Sequence, residues 1–111
     1  MSERIFLDYL EDMIESCEDI LVFTSNQTYE EFINDKKTLN AVIRSLEILG
    51  EAANKIPHEF RVKYKKIYWK EIIAMRNKLI HEYFGIDYKI LWETIKSDIP
   101  FLLNDLKVII N

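Results

Sequence analysis

The chain has 111 residues and a formal charge of -4, with 49% hydrophobic and 13% aromatic side chains. That is too apolar for a disordered tail and too short for two ordinary domains, so one domain over residues 1–111 is expected. With a lone cysteine (Cys17), no basic flank ahead of an apolar run and no stretch approaching 18 uncharged apolar residues, no internal disulfide, signal peptide or membrane span is expected, and a cytoplasmic protein fits.

Residues 3–23 read as a first helix. Phe6, Leu10, Met13, Ile14, Cys17 and Leu21 recur at three- and four-residue steps, which places them on one face. The opposite face is acidic. Ser25, Asn26 and Gln27 make a polar break, after which Thr28 and Glu31 carry the spacing of a capping box and predict a new helical start. A second long helix runs from about Asp35 to Ile56, with Leu39, Val42, Leu46, Leu49, Ala53 and Ile56 as its apolar stripe. Pro57 ends it, because the residue before proline is pushed out of the helical region. Gly50 costs roughly 1 kcal/mol against alanine in mid-helix, so close helix packing is its expected reason.

Residues 58–66 look like a short basic helical segment. From Trp69 to about Phe84 a third major helix is predicted, with Ile72, Ile73, Leu79 and Ile80 apolar. Gly85 is a candidate left-handed stop and Asp87 a cap for the last helix. That helix carries Leu91, Ile95, Ile99, Leu102, Leu106 and Ile109, in register across Pro100, which reads as a kink or a re-start. The expected fold is all-α: an up-down four-helix bundle with one or two short extra helices.

Charge is unevenly spread. Residues 61–78 hold seven basic groups and one acid, a local +6, while the remainder carries -10. A local field is enough to attract a phosphate backbone, and Lys63, Lys65, Lys66, Lys70 and Lys78 are candidate RNA contacts. A solvated basic face is the plainer alternative. Tyr64, Tyr68 and Trp69 alternate with these lysines in a pattern that suits base stacking, although Trp69 also suits the core. His58, after Pro57, reads as a surface residue, and Cys17 as core.

Within the basic segment stands Arg76-Asn77-Lys78-Leu79-Ile80-His81. An imidazole titrates near pH 6.5 and can take a proton at neutral pH, while a guanidinium holds phosphate through paired hydrogen bonds. Together they suffice for cleavage of RNA by attack of the ribose 2′-hydroxyl on the adjacent phosphorus. Arginine and histidine at this spacing also occur by chance, as a surface arginine and a helix-end histidine. Five residues of helix turn through roughly 500°, so the two side chains lie about 140° apart on a regular helix. Either the helix unwinds near His81, or a second copy of the chain completes the site. A homodimer with two facing motifs is the economical solution. Asn77 is four residues before His81 and can orient the imidazole. Arg44, Glu47 and Glu51 share a face of the second helix, either as a plain ion-pair row or to orient the arginine and build the cleft.

The run WKEIIAMRNKLIHEYFGID (69–87) resembles the HepT-like (DUF86) branch of the HEPN superfamily, as do AVIRSLEILGEAA (41–53) and LWETIKSDIP (91–100). The resemblance covers nearly the whole chain. It implies a helical-bundle RNase toxin that needs no metal or other cofactor and acts on RNA, not DNA. It also implies a homodimer with a composite cleft, and neutralisation by a minimal nucleotidyltransferase antitoxin that attaches AMP to a motif tyrosine. By that resemblance Arg76 and His81 are catalytic and Tyr83 is the AMP acceptor. Two other readings stay open: a non-catalytic nucleotide- or partner-binding module tied to a nucleotidyltransferase, and a helical scaffold that only dimerises.

Overall fold

The structure, a computed structural model, describes residues 2–81 and 85–111. Its elements are α1 (Ser2–Thr24), α2 (Tyr29–Ile33), α3 (Lys36–Lys55), α4 (His58–Lys63), α5 (Trp69–His81), α6 (Tyr88–Glu93), a π-helical turn (Thr94–Asp98) and α7 (Ile99–Ile110). The last three run on without a break, so the chain forms four long helical rods with α2 and α4 as short extras. This is the all-α bundle expected from the periodicity, and it is consistent with the HEPN-like fold that the resemblance implies. No helix among the described residues is long and apolar enough to cross a membrane.

Local chemistry sets the boundaries. The break after α1 turns on Asn26, which adopts φ 64°, a left-handed conformation that asparagine tolerates better than most residues. Thr28 then caps α2 with the complete reciprocal box: its side chain accepts from the Glu31 amide, and Glu31 accepts from the Thr28 amide at 2.9 Å. Asp35 caps α3, accepting from the Thr38 amide at 3.1 Å and from the Thr38 hydroxyl at 2.6 Å. Ile56 leaves α3 in an extended conformation just before Pro57, as the proline rule requires.

The apolar stripes meet in one core. Phe6, Leu10, Met13 and Cys17 of α1 are buried, as are Leu39, Val42, Leu46, Leu49 and Ala53 of α3 and Ile56 at its end. Trp69, Ile72 and Leu79 of α5 join them, with Leu91, Ile95, Ile99 and Leu106 from the final rod. α3 is the central wall, packed on α1 along one flank and on α5 along the other, while α7 packs on α1. Ile14, Leu21, Ile73, Leu102 and Ile109 are half-buried against this core.

Three details differ from expectation or sharpen it. Ile80, assigned to the apolar stripe of α5, is exposed, because it lies about 100° around the helix from Leu79 and faces away from the core. Gly85 is not left-handed; the described break before the last rod is carried by Asp87, whose carboxylate accepts from the amides of Lys89 and Ile90. Pro100 is a re-start. It cannot donate to a carbonyl four residues back, and its ring crowds that carbonyl. The preceding π turn, with the Ile99 amide bonded to the Thr94 carbonyl, absorbs the fault and leaves Pro100 in the first turn of α7.

Candidate active site

Arg76 occupies a place that helical periodicity reserves for an apolar residue. It follows Ile72 by four and precedes Leu79 by three, and both of those are buried. A long charged side chain fits there because the facing residue on α3 is Gly50. A Cβ added at Gly50 would collide with the Arg76 Cβ and come within 2.7 Å of its Cγ. The missing side chain is the notch in which the arginine stem lies. The expectation of close packing at Gly50 is met, and its partner is Arg76 itself.

The head group is then held by its neighbours. One terminal nitrogen donates to the Asn77 side-chain oxygen at 2.9 Å. The other lies 3.9 Å from Glu51 Oε1. Arg76 Nε is buried and has no hydrogen-bond partner among the described residues. An unmet buried donor costs about 1–3 kcal/mol. Glu51 Oε1 also lies 3.7 Å from Arg44, so one carboxylate oxygen stands between two guanidinium groups. Glu47, on the same face of α3, is half-buried and forms no ion pair among the described residues. The pairing on this face therefore spans two turns, from Arg44 to Glu51, and reaches across to α5.

His81 is the last residue of α5 and is exposed. The helix is regular from Arg76 to His81, so the roughly 140° separation stands, with about 7.5 Å of rise between them. The described residues do not bring these two side chains together. Asn77, expected to orient the imidazole, accepts a hydrogen bond from Arg76 through its side-chain oxygen. Tyr83 lies outside the described residues.

The basic segment divides into structural and solvated parts. Arg61 folds back on α3, donating to the carbonyls of Ile56 at 3.0 Å and Asn54 at 2.7 Å. Lys66 pairs with Asp105 at 3.5 Å. Lys63 lies over the Tyr64 ring. Lys63, Lys65, Lys66, Lys70 and Lys78 are all exposed. Lys70, Asn77 and His81 fall within about 40° of one another around α5, so one side of that helix carries all three. Lys78 turns to a small apolar cleft with Met75, Leu79 and Ile90. Of the aromatics, Trp69 is core, buried with its indole N–H donating to the Tyr64 carbonyl. Tyr64 stacks on Phe6, and Tyr68 is left largely exposed. A larger cleft of about 420 Å³ opens between α5 and α7, but neither Arg76 nor His81 lines it.

The bundle thus seats one arginine in its α3–α5 seam, beside a second arginine and a carboxylate that both approach. Residues 13–109 match the family described as "Ribonuclease HepT-like", and the chain belongs to that family. It is 45% identical over 109 residues to "Putative RNase MJ1380" of Methanocaldococcus jannaschii, covering 98% of this chain and 100% of that one. It is 51% identical over 100 residues to "Probable ribonuclease HepT" of Thermococcus cleftensis, covering 90% and 91% respectively. A third relative, "Putative RNase TTE0752" of Caldanaerobacter subterraneus, is 47% identical over 102 residues, covering 92% and 91%. No solved structure matches.

Proposed function

We propose that the chain is an endoribonuclease that cuts RNA without a metal ion, with Arg76 and His81 as its catalytic pair. The observation that carries this reading is the seat of Arg76: a guanidinium held in the seam by Gly50, Asn77 and Glu51, on the helix that ends in an exposed histidine. The ribonuclease names of relatives that match nearly the whole chain support it.

In this reading the His81 imidazole takes the ribose 2′-hydroxyl proton. The freed oxygen attacks the adjacent phosphorus, and the bond to the 5′-oxygen breaks as that oxygen takes up a proton. Arg76 stabilises the charge gathering on the non-bridging oxygens. Because the two groups diverge around one regular helix, the site is composite, with Arg76 from one protomer and His81 from the other of a homodimer. The exposed side of α5 with Lys70 lies beside it. The chain acts as a cytoplasmic toxin, and a nucleotidyltransferase antitoxin silences it by attaching AMP to Tyr83; the family resemblance is the support for this part.

The test is cleavage of RNA by the purified protein in excess chelator, with the product ends identified. Cleavage that survives chelator, leaves 2′,3′-cyclic phosphate and disappears in Arg76→Ala and His81→Ala is expected. Cleavage persisting in pure His81→Ala protein would sink the assignment. No cleavage at all, with AMP still transferred to Tyr83 by the nucleotidyltransferase, would leave the non-catalytic module as the function.

A further inference from the structure

Arg44 and Arg76 come from different helices, yet both approach the same oxygen of Glu51, at 3.7 and 3.9 Å. Three features of this group bear on a ligand. Both distances are too long for hydrogen bonds, so the carboxylate screens the two cations without occupying their N–H groups. Two guanidinium groups against the one carboxylate they share leave a positive charge among these three groups, with Glu47 the further acid on this face of α3. The two arginines are also unequal in depth: the Arg44 side chain is 62% exposed and that of Arg76 29%. Among the described residues no hydrogen bond takes an Arg44 N–H. An arginine kept solely for a surface ion pair at this distance contributes little to stability.

We propose that Arg44 is a second phosphate-binding residue: it receives a phosphate of the RNA strand neighbouring the one that Arg76 holds, and Glu51 keeps the two guanidinium groups at a fixed separation. The inference rests on the reading of Arg76 as the group that meets the scissile phosphate. The outer arginine meets the strand first and fixes its register. The inner one, pinned by Gly50 and Asn77, is left for the bond that breaks. Glu51 is a positioning residue here and touches no substrate. Its like charge repels the strand, so it also keeps anions from lodging on the arginine pair in the strand's absence.

The experiment uses the full chain and a short fluorescent 2′-O-methyl oligoribonucleotide, which binds but lacks the attacking hydroxyl. Binding is followed by anisotropy across a salt series. Arg44→Gln is expected to weaken binding roughly tenfold, the equivalent of one charged contact, and to lower the slope of log K against log salt by about 0.7, the value for one single-strand phosphate. Arg44→Lys should restore the slope. With cleavable RNA, Arg44→Gln should raise KM and leave kcat within about twofold, since it removes binding common to ground and transition states. Glu51→Gln should do the reverse, slowing kcat while oligonucleotide binding holds or tightens. Unchanged affinity and slope in Arg44→Gln would overturn the proposal, as would a Glu51→Gln variant that binds more weakly. If RNA is never cut but binding depends on Arg44 in this way, the ribonuclease reading fails and the two-arginine site stands.

Discussion

Arg76 and His81 share one unbroken helix and point about 140° apart around its axis. Two side chains so placed cannot converge on one phosphate from the same protomer without unwinding the end of α5. A composite site makes a sharp prediction about mixtures. Arg76→Ala and His81→Ala proteins, each inactive alone, should regain activity when unfolded together and refolded. A mixed dimer then holds one site with both groups intact and one with neither. With random pairing about half the dimers are mixed, so the regained rate should approach a quarter of the unmutated value. A site built within one chain gives no recovery, because no chain in the mixture carries both groups.

The two glycines should respond oppositely to alanine. At Gly50 the new methyl meets the Arg76 Cβ, which the backbone fixes and which cannot swing away. Helix propensity gains about 1 kcal/mol from this change, but overpacking costs about 1–3 kcal/mol. Gly50→Ala should therefore lower the urea midpoint and, by pushing α5 off α3, reduce cleavage as well. At Gly85 no described residue lies within 4 Å of the added carbon and φ is not positive. Gly85→Ala should be neutral or stabilise by up to about 1 kcal/mol, through reduced freedom of the unfolded chain.

The same pair of helices shows what a sequence can and cannot disclose. Capping at Thr28 and Asp87 and the end at Pro57 were legible because each depends on residues within four positions. The stripes were legible because burial repeats with the helix. Gly85 misled because glycine permits a left-handed turn without requiring one. The seat of Arg76 was half legible: a charge inside the stripe of α5 and a glycine inside α3 were each visible, but their contact is set by how two helices cross, 26 residues apart in the chain. The basic run was legible only in part, for a related reason. Arg61 and Lys66 count as charge in the sequence, yet their partners, the end of α3 and Asp105, are defined only by the fold.

That division of the basic segment is testable. Arg61 spans the end of α3, where the last carbonyls lack helical partners. Arg61→Ala removes two charge-assisted hydrogen bonds and should cost about 1–3 kcal/mol, seen as a Tm lower by several degrees. Its oligonucleotide affinity below that Tm should stay within about twofold of the unmutated protein. Lys70→Ala, on the exposed side of α5 with His81, should show the converse: unchanged Tm and weaker binding with a shallower salt dependence. Equal losses of affinity in both would place Arg61 in the RNA interface.

Cys17 gives a prediction with a definite sign in pH. Its thiol is wholly buried in the core, and burial, with a smaller contribution from the Glu18 charge, pushes its pKa up to about 12 from 9.0. The folded thiol should stay unreactive towards an aromatic disulfide reagent at pH 8 and react fully in denaturant. Because the folded value lies above the unfolded one, the stability linked to this thiol is complete below pH 9. It falls as pH rises from about 9 towards 12, since only the unfolded chain releases the proton in that window. Cys17→Ala removes the linkage. It should be less stable at neutral pH, from the small cavity left behind, but its urea midpoint should decline less steeply than that of the unmutated protein between pH 9 and 11. Parallel declines would mean that the thiol ionises in the folded chain as readily as in the unfolded one.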